Sequence, residues 1–98
     1  MAGAELLLHR KRYYGDGGIL EMKLWRVPRP VRGSGHLLKY SLFYGEAGRR
    51  LVGYDNEAGK GDHRQHYGDR EEAYAFSTVR QLMADFLADV RRVRGGKL

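Results

Sequence analysis

The sequence predicts an α+β fold in which a four- to five-stranded antiparallel sheet carries one C-terminal amphipathic helix packed on one face. Segments of the first half alternate apolar and polar residues and are separated by glycine-rich turns. The last segment repeats apolar residues at three- and four-residue steps. A chain of 98 residues suffices for one domain, so we expect residues 1–98 to form a single domain with a thin core.

The first predicted hairpin joins residues 5–14 to residues 19–27. The turn at 15–18 reads GDGG, and glycine favours a turn because it adopts positive φ at little cost. In the second arm, Leu20, Met22 and Leu24 share one face. Prolines at positions 28 and 30 end this strand because proline cannot donate to a ladder.

A second predicted hairpin joins residues 37–44 to residues 50–56 through a turn at 45–48. A basic, flexible loop at 29–36 connects it to the first hairpin. Residues 57–76 are mostly polar and glycine-rich, which predicts a long loop, with a short fifth strand near 74–76 as an extension of the sheet. Long loops in compact domains are often functional.

The apolar repeat and the capping residues of segment 78–94 predict the helix. Thr78 and Gln81 have the spacing of a capping box, and Gly95-Gly96 ends the helix. The apolar stripe should pack on one face of the sheet, either the face that carries Leu20, Met22 and Leu24 or the face of their opposite-parity neighbours. Its members are Val79, Leu82, Met83, Phe86, Leu87, Val90 and Val93.

Charge and cysteine content narrow the classes of function. Eighteen Lys and Arg residues against 12 acidic residues give a net charge of +6, which is typical of proteins that bind a polyanion or an acidic protein. Solubility alone is the other explanation. The absence of cysteine excludes a disulfide, a zinc–thiolate site and a thiol nucleophile.

Residues 1–8 are too short and acidic for a signal peptide, and no run is long enough to span a membrane, so we expect a cytoplasmic protein without a membrane partner.

Residues 54–67 contain the groups that metal-free RNA cleavage requires, namely a base for the 2′-hydroxyl, an acid for the 5′-oxygen and a cation for the phosphate. The histidines would transfer protons, the lysine and arginine would bind phosphate, and an aspartate would orient an imidazole. The alternatives are a solvated loop or a metal site at Asp62, His63 and His66, but the spacing matches no common metal motif, so we predict no metal or cofactor. The candidate catalytic residues are His63, His66, Lys60, Arg64, Asp62 and Asp55.

Aromatic residues beside basic ones suggest an RNA surface, because aromatic rings stack on bases while arginines bind the backbone. The alternative is that these rings cover the second face of the sheet. The candidate RNA-binding residues are Arg10, Arg12, Trp25, Arg26 and Tyr54.

Six short stretches occur along nearly the whole chain: GILE at 18–21, FYG at 43–45, VGYDNE at 52–57, GKGDHR at 59–64, REE at 70–72 and LMADF at 82–86. Together, and above all YDNEAGKGDHR at 54–64, they resemble the TumE family of toxins from toxin–antitoxin pairs. The resemblance implies a toxin encoded beside a TumA-type antitoxin with a helix-turn-helix, and an inhibitor of translation or of RNA integrity.

The leading hypothesis is therefore a metal-independent endoribonuclease toxin that blocks translation, with RNA and a cognate antitoxin as partners. One alternative is a non-catalytic protein that binds RNA, a ribosome or the antitoxin, and another is a metal-dependent nuclease. Loss of activity in a chelator distinguishes the last from the first, and RNA binding without cleavage identifies the non-catalytic protein. The sequence does not determine the oligomeric state.

Overall fold

A computed structural model describes residues 3–66, 70–96 and 98 of the chain. It contains a six-stranded sheet in which each strand pairs antiparallel with the next in sequence, followed by one helix. The α+β class, the antiparallel sheet and the C-terminal helix are confirmed, whereas the count of four to five strands is wrong. The elements are β1 (Glu5–Tyr13), β2 (Gly18–Arg26), β3 (Leu38–Glu46), β4 (Arg49–Asp55), β5 (His63–His66), β6 (Arg70–Ala73) and α1 (Val79–Val93).

The first four strands form the two predicted hairpins. In the β1–β2 turn, the Tyr14 amide donates to the Gly18 carbonyl at 2.8 Å. The β3–β4 turn is the two-residue loop Ala47-Gly48, with φ of 52° and 75°. Positive φ at both positions gives a turn whose twist matches that of the flanking strands. The predicted strands stopped at residue 44 and resumed at residue 50, whereas β3 continues to Glu46 and β4 begins at Arg49.

Strands β5 and β6 lie inside the segment predicted as a loop, and the short strand expected near 74–76 does not form because β6 ends at Ala73. Polar pairs connect the two strands: Arg64 Nε donates to Glu72 Oε1 at 2.8 Å, and Gln65 Nε2 donates to Glu71 Oε2 at 2.7 Å. Cross-strand pairs of this kind stabilise a sheet without the apolar alternation that identifies a strand in sequence. The sequence prediction failed here for that reason.

Helix α1 begins and ends where its capping residues predict. The Thr78 hydroxyl accepts a hydrogen bond from the Gln81 amide at 3.1 Å. At the other end, Gly95 has φ of 71°, and the Gly96 amide donates to the Arg91 carbonyl at 2.7 Å. These bonds satisfy backbone groups that a helix end otherwise leaves unpaired.

The helix packs on one face of the sheet through the predicted stripe. Leu82, Phe86 and Val90 are fully buried, and the Phe86 ring meets the Tyr54 ring edge-on at 5.8 Å. Burying side chains of this size stabilises the fold by about 2 kcal/mol each. The core cluster consists of Leu20, Leu24, Tyr40, Leu42, Tyr44, Leu51, Val52, Tyr54, Leu82, Phe86 and Val90.

The opposite face of the sheet, which we call the open face, faces away from α1. Residues directly opposite each other in an antiparallel ladder share a face, so the register defines rows across the sheet. One such row crosses five strands and carries a polar side chain on each of them. Its members are His9, Lys23, Ser41, Asp55 and His63.

Candidate functional site

His63 lies at the β5 end of that row, directly opposite Asp55 on β4. Its Nδ1 lies 3.1 Å from the Gly61 carbonyl oxygen, which can only accept, so Nδ1 carries a proton and donates it there. Its Nε2 lies 3.3 Å from Asp55 Oδ1, and 8% of the side chain is exposed. The backbone of the preceding loop thus determines which ring nitrogen faces the carboxylate.

A second carboxylate, Glu71 on β6, lies on the other side of His63. Glu71 Oε2 is 3.6 Å from His63 Nε2, and Glu71 Oε1 is 2.6 Å from Lys60 Nζ. The hydrogen bond from Lys60, aided by that from Gln65, lowers the pKa of Glu71 below its ordinary value. Lys60 is 56% exposed. An imidazole, two carboxylates and an accessible cation therefore lie together at this end of the open face.

Asp62 does not orient His63 directly, although it precedes it in sequence. It accepts hydrogen bonds from Ser34 Oγ at 2.6 Å, Tyr40 OH at 2.6 Å and His36 Nε2 at 2.8 Å. Burial by itself raises the pKa of Asp62, but the three hydrogen bonds outweigh it and lower the pKa below its ordinary value. Asp62 therefore anchors the loop before β5 to the loop before β3, and so holds the Gly61 carbonyl in place.

His36 is a structural partner of Asp62. Its Nδ1 accepts the Leu38 amide at 3.2 Å, which leaves Nε2 as the protonated nitrogen that donates to Asp62. The imidazole stacks on the Phe76 ring at 3.9 Å. Both ring nitrogens therefore form hydrogen bonds within the protein. A shallow cleft of about 320 Å³ lies beside the ring, and its lining residues are Gly35, His36, Asp62, Phe76 and Ser77.

Asn56, which directly follows β4 and is fully buried, adds further hydrogen bonds between β4, β3 and the loop before β3. Its Oδ1 accepts the Tyr40 amide at 3.0 Å, and its Nδ2 donates to the Leu38 carbonyl at 2.8 Å and to Ser34 Oγ at 3.1 Å. These roles were not predicted, because the partners are far apart in the chain and no local pattern marks them. The two loops also approach each other closely, since a Cβ on Gly33 would lie 2.4 Å from the Gly61 nitrogen.

Arg64 points to the helix side of β5, away from His63, because neighbouring residues of a strand face opposite ways. Arg64 Nη1 donates to Tyr54 OH at 3.2 Å, and Tyr54 OH donates to Asp89 on α1. Burial, followed by the hydrogen bond to Asp89, raises the pKa of Tyr54 above its usual range. Tyr54 is fully buried, so the structure places both residues in the junction between sheet and helix.

The other sequence-predicted residues are also divided between the two faces. Arg10 and Arg12 lie opposite Met22 and Leu20, on the helix side, whereas Trp25 lies on the open face. The Trp25 ring has Lys39 Nζ above it at 5.2 Å. Arg26 is exposed at the end of β2, and the His66 side chain lies outside the described part of the structure.

The described residues contain neither a cluster of metal ligands nor a membrane-spanning helix. No group of three His, Asp or Glu side chains in 3–66, 70–96 and 98 has an arrangement that could hold a metal ion. In the same described ranges, no helix has the length and apolar character needed to cross a bilayer.

Nearly the whole chain matches a known protein family. The family model described as "Toxin TumE" matches residues 5–94. A search of curated proteins and a search of solved structures each find no significant match. The matched range includes all six strands and the helix, together with Asp55, Lys60, His63 and Glu71.

Proposed function

Because the chain belongs to the TumE toxin family, whose model matches residues 5–94, we propose that this toxin is a metal-independent endoribonuclease centred on His63. The observation that carries the proposal is the position of His63 Nε2, 3.3 Å from Asp55 Oδ1 and 3.6 Å from Glu71 Oε2. Lys60 supplies a cation at the other Glu71 oxygen. Acid, base and phosphate ligand thus come from side chains within one corner of the open face.

His63 is the general acid in this proposal. Its Nδ1 proton is already donated to the Gly61 carbonyl, so a proton on Nε2 makes the ring an imidazolium. The Asp55 and Glu71 carboxylates, with oxygens 3.3 Å and 3.6 Å from Nε2, stabilise that positive charge electrostatically. An imidazolium is the form that gives a proton to a leaving alkoxide.

Glu71 is the general base, and the hydrogen bond from Lys60, which lowers its pKa, holds it as a carboxylate until RNA binds. It takes the proton of a ribose 2′-hydroxyl, whose oxygen forms a bond to the adjacent phosphorus. The bond from phosphorus to the 5′-oxygen breaks, and His63 protonates that oxygen. The products are a 2′,3′-cyclic phosphate and a 5′-hydroxyl, and Lys60 stabilises the negative charge on the phosphate as the bonds change.

The arrangement also explains how RNA reaches a histidine that is only 8% exposed. A phosphate competes with Glu71 for the exposed Lys60, and its binding releases the Glu71 carboxylate from the lysine. Glu71 then becomes available as a base, and Nε2 becomes accessible. The rest of the RNA follows the open face, where Lys23, Trp25 and Lys39 provide cations and a ring for stacking.

Cleavage of a labelled single-stranded RNA in EDTA tests the proposal. The purified toxin should produce 2′,3′-cyclic phosphate ends without a divalent ion, and His63→Asn should abolish cleavage. His9→Asn is the matched control, because His9 lies in the same row and pairs with Glu21 at 2.8 Å, far from Lys60. RNA binding without cleavage would favour a non-catalytic toxin, and cleavage that requires a divalent ion would favour a metal-dependent nuclease.

A further inference from the structure

Strand β1 forms one edge of the sheet and has the features of a surface that accepts another strand. Its outer side faces no strand within the described residues, so alternate backbone N–H and C=O groups are left without ladder partners. Eight of its nine residues are exposed, and the exception is Leu8. Three large apolar side chains are among them: Leu6 is 55% exposed, Leu7 41% and Tyr13 67%. An exposed edge with apolar side chains is a template for strand addition.

The charge of this edge determines which strand fits. Arg10, Lys11 and Arg12 follow one another between the apolar residues. Lys11 and Arg12 lie over the rings of Tyr13 and Tyr14, at 5.4 Å and 4.5 Å, which holds both cations close to β1. A second copy of the chain would bring three more cations to the same edge. An acidic segment would instead neutralise them, and opposite charges favour docking.

We propose that β1 is the docking edge for the antitoxin, which adds an extended, acidic segment to the sheet as a seventh strand. Backbone hydrogen bonds to β1 provide the pairing, and carboxylates of the segment lie beside Arg10, Lys11 and Arg12. Apolar residues of the segment cover Leu6, Leu7 and Tyr13. The inference rests on membership of the toxin family and does not require the ribonuclease activity.

Hydrogen–deuterium exchange on the complex of the cognate antitoxin with toxin carrying His63→Asn tests this docking. That substitution removes the proposed catalytic acid, so the binding result and the ribonuclease result are independent. The β1 amides should exchange more slowly in the complex than in the free toxin, while the amides of β6, the opposite edge, should keep their rates. Unchanged exchange throughout β1 would overturn the proposal.

A charge-reversal pair provides the second measurement. Arg10→Glu with Lys11→Glu should weaken antitoxin binding about tenfold or more at physiological salt. The matched control is Arg80→Glu with Arg91→Glu, which changes the net charge equally at exposed positions near the two ends of α1 and should alter the affinity less than about threefold. Circular dichroism checks that both variants are folded.

Equal effects of the two pairs would show that only net charge matters and would overturn the proposal. So would protection of β1 that depends on toxin concentration without antitoxin, because the occupant would then be a second copy.

Discussion

Asp55 and His63 face each other across the ladder between β4 and β5, with Oδ1 of the one 3.3 Å from Nε2 of the other. One residue earlier on β4 and one later on β5, Tyr54 and Arg64 form the equivalent pair on the opposite face. The two-residue period of a strand therefore separates the proposed proton-transfer site from the core within a single pair of strands.

His63→Ala should abolish growth inhibition when the toxin is induced in cells that lack the antitoxin. Removal of a general acid lowers the rate by about 10²–10⁴-fold, which is enough to stop measurable damage to RNA. The protein should still fold and bind the antitoxin, which thermal unfolding and a binding assay measure alongside. A fully toxic His63→Ala protein would contradict the catalytic hypothesis. If the variant loses toxicity by unfolding, Glu71→Gln decides, because this exposed carboxylate can be neutralised without changing the volume of the side chain.

Lys60→Gln and Arg64→Gln should have different effects although both residues were predicted to bind the phosphate. Lys60 lies on the Glu71 side of His63, so its loss should lower kcat for RNA cleavage about tenfold. Arg64 faces the helix, where it binds Tyr54 and Glu72, so its loss should lower the melting temperature with little change in kcat. Single-turnover cleavage and thermal unfolding of both variants measure this difference. A larger kcat effect from Arg64→Gln would place the phosphate on the helix side.

The salt dependence of RNA binding should identify the face that contacts RNA. Lys23→Gln with Lys39→Gln should reduce the slope of log Kobs against log salt by about 1.4, because each phosphate contact to a single strand contributes about 0.7. Arg10→Gln with Arg12→Gln is the control of equal charge on the helix side and should leave the slope unchanged. Filter binding from low to moderate salt measures both slopes. The reverse result would support the surface first predicted from the sequence.

Asp62→Asn should lower the free energy of unfolding at neutral pH by about 1–3 kcal/mol, because hydrogen bonds from Ser34, His36 and Tyr40 lose a charged acceptor. The pKa of Asp62 is lowered in the folded state, so the stability it provides is present above the ordinary value of about 4. That stability is lost as pH falls through the lower folded-state value. The difference from the unsubstituted protein should therefore shrink in acid.

Urea unfolding at neutral pH and at several acidic pH values measures this convergence. Glu57→Gln is the control, since its carboxylate pairs with Lys39 at 3.7 Å on an exposed surface and should contribute less than about 1 kcal/mol. If the free energies of unfolding of the Asp62→Asn protein and the unsubstituted protein differ by a constant amount across the pH series, the stabilisation by Asp62 does not depend on its charge.

The elements that the sequence predicted well are those whose signals are local. The two hairpins of residues 5–56 combine apolar alternation with glycine turns, and α1 combines an apolar stripe with Thr78 and Gly95 as caps. Strands β5 and β6 were missed because their pairing depends on polar partners such as Arg64 and Glu72, which a hydrophobic pattern does not reveal. Opposite charges spaced across residues 64–72 were the available signal.

By itself, the sequence determined four strands, a capped helix and a set of candidate polar residues around His63, since residue type and local period carry that information. Only the tertiary structure decided which of those residues meet. It placed Asp55 and Glu71 beside His63, gave Asp62 to His36, and turned Arg64 toward the helix. The physical reason is register, because a shift of one residue moves a strand's side chains to the opposite face, and register is set by pairing between distant parts of the chain.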